Sequence, residues 1–248
     1  MTQAVSDAST VFGPSSRMVG FFSEPLARFQ TEAGEIDDAI ASSRRAAAIV
    51  AGHSQADSFR SAVALHARGA ALLGARRLDD ALPDLARATT ILQERFPTTN
   101  EYRRTFQTDY ALALALAGQT AEAERLVAPF VPMWGDADLA SATRPLYVRG
   151  VISRMTRDYR AALRFQQRAL TVLGGGRRTD IDRMRALTEI GLNLDALGQA
   201  EQAIAFLREA LTLSQRALTH MSPARAEILA GLDHTQAAMS ASLSRLRQ

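Results

Sequence analysis

The sequence predicts an all-α protein built from about five repeated helix hairpins and a final helix. Three observations carry this prediction. Alanine and leucine supply most of an apolar content of 47%, while valine, isoleucine, threonine and tyrosine are sparse. Small residues recur with a period near 42 residues, and the segments around them show apolar residues at helical spacing. With 248 residues, the chain is long enough to bury a large core.

Each predicted hairpin is marked by small residues at fixed offsets. The first set falls within the first helix of each hairpin and consists of Ala27, Gly69, Ala111, Gly150 and Gly191. A second set follows twelve residues later, in the second helix, and consists of Ala39, Ala81, Ala123, Ala162 and Ala203. Small side chains at a crossing let two helix axes approach to about 8–10 Å. Between the two sets, glycine breaks the helix at Gly34, Gly118 and Gly198, and arginine stands at the same place as Arg76 and Arg157.

These marks give a map of the chain. The predicted hairpins span 17–53, 57–96, 100–135, 139–175 and 178–220. A helix over 223–246 has an apolar stripe on one side only, which suits a capping helix that closes the array. Residues 17–248 are therefore predicted to form the repeat domain, and residues 1–16 to be a linker or the remnant of an upstream repeat.

The best-defined hairpin resembles a known repeat. Its residues Leu187, Ile190, Gly191, Leu194, Gly198, Ala203, Leu207 and Ala210 resemble the pattern of the tetratricopeptide repeat, TPR. The spacing near 42 residues resembles the long variety found in kinesin light chains and many bacterial signalling proteins. The resemblance implies a right-handed α–α superhelix whose first helices line a concave groove. It also implies a scaffold without catalytic activity that binds a peptide or protein segment in that groove.

The resemblance places candidate partner-binding residues at fixed positions of the first helices. An apolar floor with scattered polar groups suits an extended peptide or a helix laid along the groove. The Lys and Asn of the family's chaperone-type carboxylate clamp are missing, so a chaperone tail is not the expected ligand. The candidate residues are Arg28, His66, Asp109, Leu112, Tyr147, Val151, Arg154, Glu189 and Leu192.

A second candidate surface is positively charged. All 29 basic residues counted as Lys or Arg are arginine, and the segment from Arg144 to Arg185 is strongly basic. Within it, a stripe on one helix is predicted from the spacing of Arg157, Arg160, Arg164 and Arg168. One alternative function is therefore a binder of an acidic partner or of nucleic acid. A solvated outer face explains the same residues, and the poor aromatic interleaving makes nucleic acid the less expected ligand.

Two further expectations concern the ends of the chain. Long-type arrays in bacteria often follow a serine/threonine kinase domain or a winged-helix transcription regulator, so a C-terminal regulatory region of such a protein is the other alternative. The segment VFGPSS at 11–16 resembles an inter-repeat linker, so the array is expected to begin without a polar cap. Exposed Phe21, Phe22 and Phe29 would fit such an end, where a homodimer could form.

Sequence motifs for chemistry are not found. There is no cysteine, the four histidines never fall at a metal-ligand spacing, and no hydrolase or kinase signature occurs. We therefore expect no catalytic activity, no cofactor and no metal. No apolar run approaches about 18 residues, and the start of the chain lacks the pattern of a secretory signal, so we expect a cytoplasmic protein that does not enter a membrane.

Overall fold

The computed structural model describes residues 1–131, 143–173, 177–220 and 222–246. These residues form twelve α-helices, one short 3-10 turn and no β-strand, which confirms the all-α prediction. The chain divides into an N-terminal unit, Met1–Ala117, and a C-terminal unit, Gly118–Gln248. The division falls inside the third predicted hairpin, so the domain limits drawn from the sequence stay a prediction.

The N-terminal unit contains six helices that pack consecutively. Residues 2–12, predicted as a linker or repeat remnant, form a helix whose Val5 and Ala8 are buried against Val19 of the next helix. The two complete hairpins of this unit begin and end within two residues of their predicted limits, 17–53 and 57–96. The bounds are α1 (Thr2–Phe12), α2 (Arg17–Ala33), α3 (Ile36–His53), α4 (Phe59–Gly74), α5 (Leu78–Arg95) and α6 (Glu101–Leu116).

The C-terminal unit contains the other six helices. Its first helix ends at Val127, well before the predicted hairpin limit of 135, because the chain passes into a 3-10 turn at Ala128–Phe130 that contains Pro129. The fourth predicted hairpin starts at 139, outside the described residues, and is seen from Thr143 onward. The bounds are α7 (Thr120–Val127), α8 (Thr143–Met155), α9 (Tyr159–Val172), α10 (Arg177–Ala196), α11 (Ala200–Ala217) and α12 (Pro223–Leu246).

In the hairpins that lie within one unit, the small residues lie where the two helices meet. All five alanines of the second set are 0% exposed. At Gly69 and Gly191, an added Cβ would lie 2.7 Å from Leu85 Cγ and 2.6 Å from Leu207 Cγ. The facing residue is sixteen positions after the glycine in both hairpins. Only glycine therefore leaves room for the large residue that faces it.

The five hairpin turns share one backbone conformation. The residue seven positions after each small residue has a positive φ, whether it is glycine or arginine, as at Gly198 (75°), Arg76 (59°) and Arg157 (63°). At Arg157 the turn is closed by its own N–H, which donates to the Arg154 carbonyl at 2.9 Å, and by the Asp158 N–H, which donates to Ser153 at 2.9 Å. This is the pattern of a Schellman helix end. The periodic turn position inferred from the sequence is therefore real in all five hairpins.

Candidate functional site

The candidate residues on the first helices gather in two clusters, one in each unit. The N-terminal cluster comprises Glu24, Arg28, Arg60, His66 and Asp109, on α2, α4 and α6. The C-terminal cluster comprises Tyr147, Arg154, Arg185, Glu189 and Glu227, on α8, α10 and α12. The candidate residues named from the sequence do not include Glu24, Arg60, Arg185 or Glu227, and the last three occupy no groove position of the repeat.

His66 is held in place from two sides in the N-terminal cluster. Its Nε2 lies 3.1 Å from Oδ2 of Asp109, and the two side chains are only 15% and 11% exposed. Its ring is stacked on Phe106 with 3.8 Å between centroids and 3° between planes. The hydrogen bond and the stack together fix the imidazole in one orientation, which makes this part of the face rigid.

The charge around Glu24 is divided between a half-buried acid and exposed cations. Burial raises the pKa of the Glu24 carboxyl, although the positive charges of Arg60, Arg28 and His66 act in the opposite direction. Arg28 and Arg60 are both exposed. The N-terminal cluster thus presents two guanidinium groups to the solvent beside a carboxylate that is partly withdrawn from it.

The C-terminal cluster is built on an ion pair between neighbouring first helices. Arg154 donates to Glu189 through Nε at 2.6 Å and through Nη2 at 3.2 Å. The Glu189 side chain is 6% exposed and that of Arg154 is 23% exposed. Burial lowers the pKa of Arg154, but the charge and hydrogen bonds of Glu189 outweigh it, so the pKa is raised. Both residues are therefore bound to each other instead of being open to a partner.

Tyr147 lies beside this ion pair. Burial first, and then the negative charge of Glu189, raise the pKa of its phenol to about 12, against the opposing effects of Arg185 and Arg144. The Arg144 guanidinium lies over the ring, 5.8 Å from the centroid. The phenol therefore stays neutral through the physiological range.

The apolar floor predicted for the groove is mostly inaccessible. Val151 is 0% exposed and Leu112 is 7% exposed, so these two positions fill the interior of their units. Leu192 is half-buried and keeps some surface. That Val151 and Leu112 contact a partner stays a prediction, although both side chains are buried in the structure.

The predicted arginine stripe is shorter than expected. Arg157 lies in the turn before α9 and has the positive φ of that turn, so it is not part of the helix. Arg160 and Arg164 are exposed on α9, and Arg168 is half-buried. The stripe therefore consists of three residues at four-residue spacing, on a helix whose sequence contains no Asp or Glu.

Neither a metal site nor a membrane-spanning helix occurs in the part of the chain that the structure describes. No group of three His, Cys, Asp or Glu side chains there is placed to hold a metal ion. None of the described helices combines the length and the apolarity needed to cross a membrane.

The comparison with solved structures identifies the fold. The chain matches the crystal structure of a Podosopora anserina protein described as a kinesin light chain with nearly identical TPR-like repeats, at 17% identity and a TM-score of 0.50. The match covers 78% of this chain and 94% of that one. The chain has a TPR-like repeat fold. A point variant of the same Podosopora protein also matches, at 17% identity, with 78% and 93% of the two chains covered and a TM-score of 0.49.

Other comparisons add no family assignment to the TPR-like fold. No protein-family model matches the sequence, and no curated protein does. The fold expected from the repeat pattern is thus confirmed by structural likeness.

Proposed function

We propose that this TPR-like protein is a scaffold without catalytic activity that binds a segment of another protein on its first helices. The proposal rests on the TPR-like fold and on the N-terminal cluster. In that cluster, His66 is fixed by Phe106 and Asp109, and the exposed Arg28 and Arg60 act together with it on Glu24. A surface that is already ordered loses little entropy when a ligand binds.

The charges of the N-terminal cluster indicate the kind of segment. Exposed guanidinium groups bind carboxylates through two parallel hydrogen bonds, and Arg is the preferred residue for this contact. Glu24 lies close enough for Arg60 and Arg28 to influence its pKa, so both cations act on the same small area. A segment with an acidic side chain or a free C-terminal carboxylate would satisfy these groups.

Peptide selection tests this proposal without knowledge of the natural partner. A library of random peptides is displayed on phage and selected on the immobilised chain, and the dissociation constants of the enriched peptides are measured by fluorescence anisotropy. Arg28→Glu should weaken binding at least about tenfold by reversing the charge at the contact. The matched control Arg87→Glu, at an exposed position of α5, should change it less than about twofold. Absence of enriched peptides, or equal losses for both variants, would contradict the proposal.

A second candidate function is favoured by the composition of α9. This helix carries Arg160, Arg164 and Arg168 with no acidic residue, and Arg160 and Arg164 are exposed. Its successive arginines are separated by about 6 Å along the axis, which matches acidic residues at the same spacing on a partner helix. Binding of a helical acidic peptide should weaken steeply with added salt, and the double variant Arg160→Gln with Arg164→Gln should abolish that dependence. Binding that is insensitive to salt would exclude this surface.

A further inference from the structure

The solvent side of α2 is apolar where a surface helix normally carries polar residues. Met18, Phe21 and Phe29 are 39%, 53% and 59% exposed, and Pro25 lies on the same helix between them. At 3.6 residues per turn, these four residues fall within a sector of about 80°. The sector lies opposite the buried side of the helix, which includes Val19, Ser23, Leu26 and Gln30. We name Met18, Phe21, Pro25 and Phe29 the α2 outer stripe.

A cavity of about 210 Å³ opens beside the first half of this stripe. Met18 and Phe21 form part of its wall together with Ile49 and Val50 of α3. Arg17 and Arg60 supply positive charge at the rim, and His53 and Ser54 complete the lining. The cavity thus combines an apolar wall with a positively charged rim, and it fits an apolar side chain that has a carboxylate close by.

Helix α2 itself carries an apolar side chain with a carboxylate close by. Phe29 is among the most exposed apolar side chains of the helix, and Glu32 is exposed one turn after it. Pro25 is four residues from Phe21 and four residues from Phe29. A two-fold axis through Pro25 therefore places Phe29 of one copy opposite Phe21 of the other, at the mouth of the cavity, and places Glu32 close to Arg17. Both contacts occur twice, as symmetry requires of such an interface.

We propose that the α2 outer stripe is a self-association surface, on which α2 of a second copy of this chain packs in the antiparallel direction. The occupant is a second copy because α2 carries both one wall of the cavity, with Arg17 at its rim, and the phenylalanine and acid that complement them. The surface borders the N-terminal cluster and shares Arg60 with it, but the tests below change Phe21 and Phe29, which do not belong to that cluster.

The exposed area indicates a weak dimer. A phenylalanine side chain presents on the order of 200 Å², so four half-exposed rings and two methionines would bury roughly 500–600 Å² of apolar surface. This amount is well below the total of about 1,600 Å² in a standard stable interface. We therefore expect a dissociation constant in the micromolar range.

Sedimentation velocity measures this association on the whole chain. Between about 1 and 500 μM, the wild-type chain should change from monomer to dimer. Phe29→Glu should remain monomeric at every concentration, because it places a charge in an apolar contact. The matched control is Leu229→Glu on α12, whose leucine is 43% exposed, and it should dimerise as the wild type does. A wild-type chain that is monomeric at the highest concentration would overturn the proposal, and so would equal effects of the two variants.

Cysteine pairing tests the antiparallel geometry, and the chain has no native cysteine to interfere. In the proposed dimer, Phe21 faces Phe29 of the second copy, while the two Phe21 residues are about 12 Å apart along the helices. A mixture of the Phe21→Cys and Phe29→Cys chains should therefore form disulfide-linked dimers several times faster than either chain alone. Faster linking within the Phe21→Cys chain alone would reject the antiparallel pairing.

Discussion

Replacement of Gly191 by alanine tests the packing rule on which the repeat fold depends. Gly191 lies within α10, and an added methyl carbon would be 2.6 Å from Leu207 Cγ and 3.2 Å from the backbone oxygen of Ala203. Leu207 is 0% exposed, and the atom in contact is the branch point of its side chain, so it has little freedom to move aside. The substitution therefore forces two packed helices apart.

The expected change in stability is the balance of two effects. Alanine in place of glycine within a helix stabilises by about 1 kcal/mol. Overpacking of a tight core site costs about 1–3 kcal/mol. The net expectation for Gly191→Ala is a loss of about 0–2 kcal/mol in the free energy of unfolding. Gly52→Ala is the matched control, because Gly52 is also helical but an added Cβ there meets nothing within 4 Å. It should gain about 0.5–1 kcal/mol.

Urea denaturation followed by circular dichroism measures both variants against the wild type. The decisive quantity is the difference between Gly52→Ala and Gly191→Ala, which isolates the overpacking cost of about 1–3 kcal/mol. The contact itself is tested by adding Gly191→Ala to a Leu207→Ala background, where the methyl group has room and should stabilise. If Gly191→Ala proves as stabilising as Gly52→Ala, the close approach of α10 and α11 is refuted.

Three further predictions concern the turns and the clusters. Arg157→Gly should stabilise the fold by about 0.5–1 kcal/mol in urea denaturation, because glycine adopts the positive φ without strain, and a loss would contradict this. Arg154→Met should cost about 3 kcal/mol by leaving Glu189 buried without its main partner. Adding Glu189→Leu should restore most of that loss, and no recovery would show that the ion pair is not the cause. Burial raises the pKa of Glu24, so its ionisation opposes folding as the pH rises through the folded pKa. Glu24→Gln should therefore raise the melting temperature more at neutral than at acidic pH, and an equal rise at both would contradict the assignment.

The helices could be predicted from the sequence because the constraint on them is local. The packing at Gly69 and Gly191 requires a residue with little or no side chain. A positive φ is required seven positions later. Both requirements restrict the residue type, and they do so at a fixed spacing in the sequence. Helix α1 was missed because it has only two buried residues, Val5 and Ala8, which do not recur at the spacing of the repeats. The early end of α7 could have been inferred from Pro129.

The sequence predicted which positions of the first helices form the candidate site, but it did not predict which side chains contact one another. His66 and Asp109 are 43 residues apart, and Arg154 and Glu189 are 35 apart, so each pair joins neighbouring first helices at a different offset. The offset depends on how far one helix is displaced along the next, which the repeat period does not specify. Residues predicted as contacts for a partner were therefore found bonded to one another.

The pairing of a small residue with its neighbour sixteen positions later affects how such a chain can change over evolutionary time. Both members of the pair lie in one hairpin, so duplication or loss of a whole hairpin carries the complementary shapes together. Recombination at a point between Gly191 and Leu207 would separate the two residues. A repeat with alanine in place of the glycine would then bring a methyl group against a leucine that leaves no room for it. The number of hairpins in the array can therefore change by whole hairpins. Within each hairpin, the small residue and the residue sixteen positions later must change together.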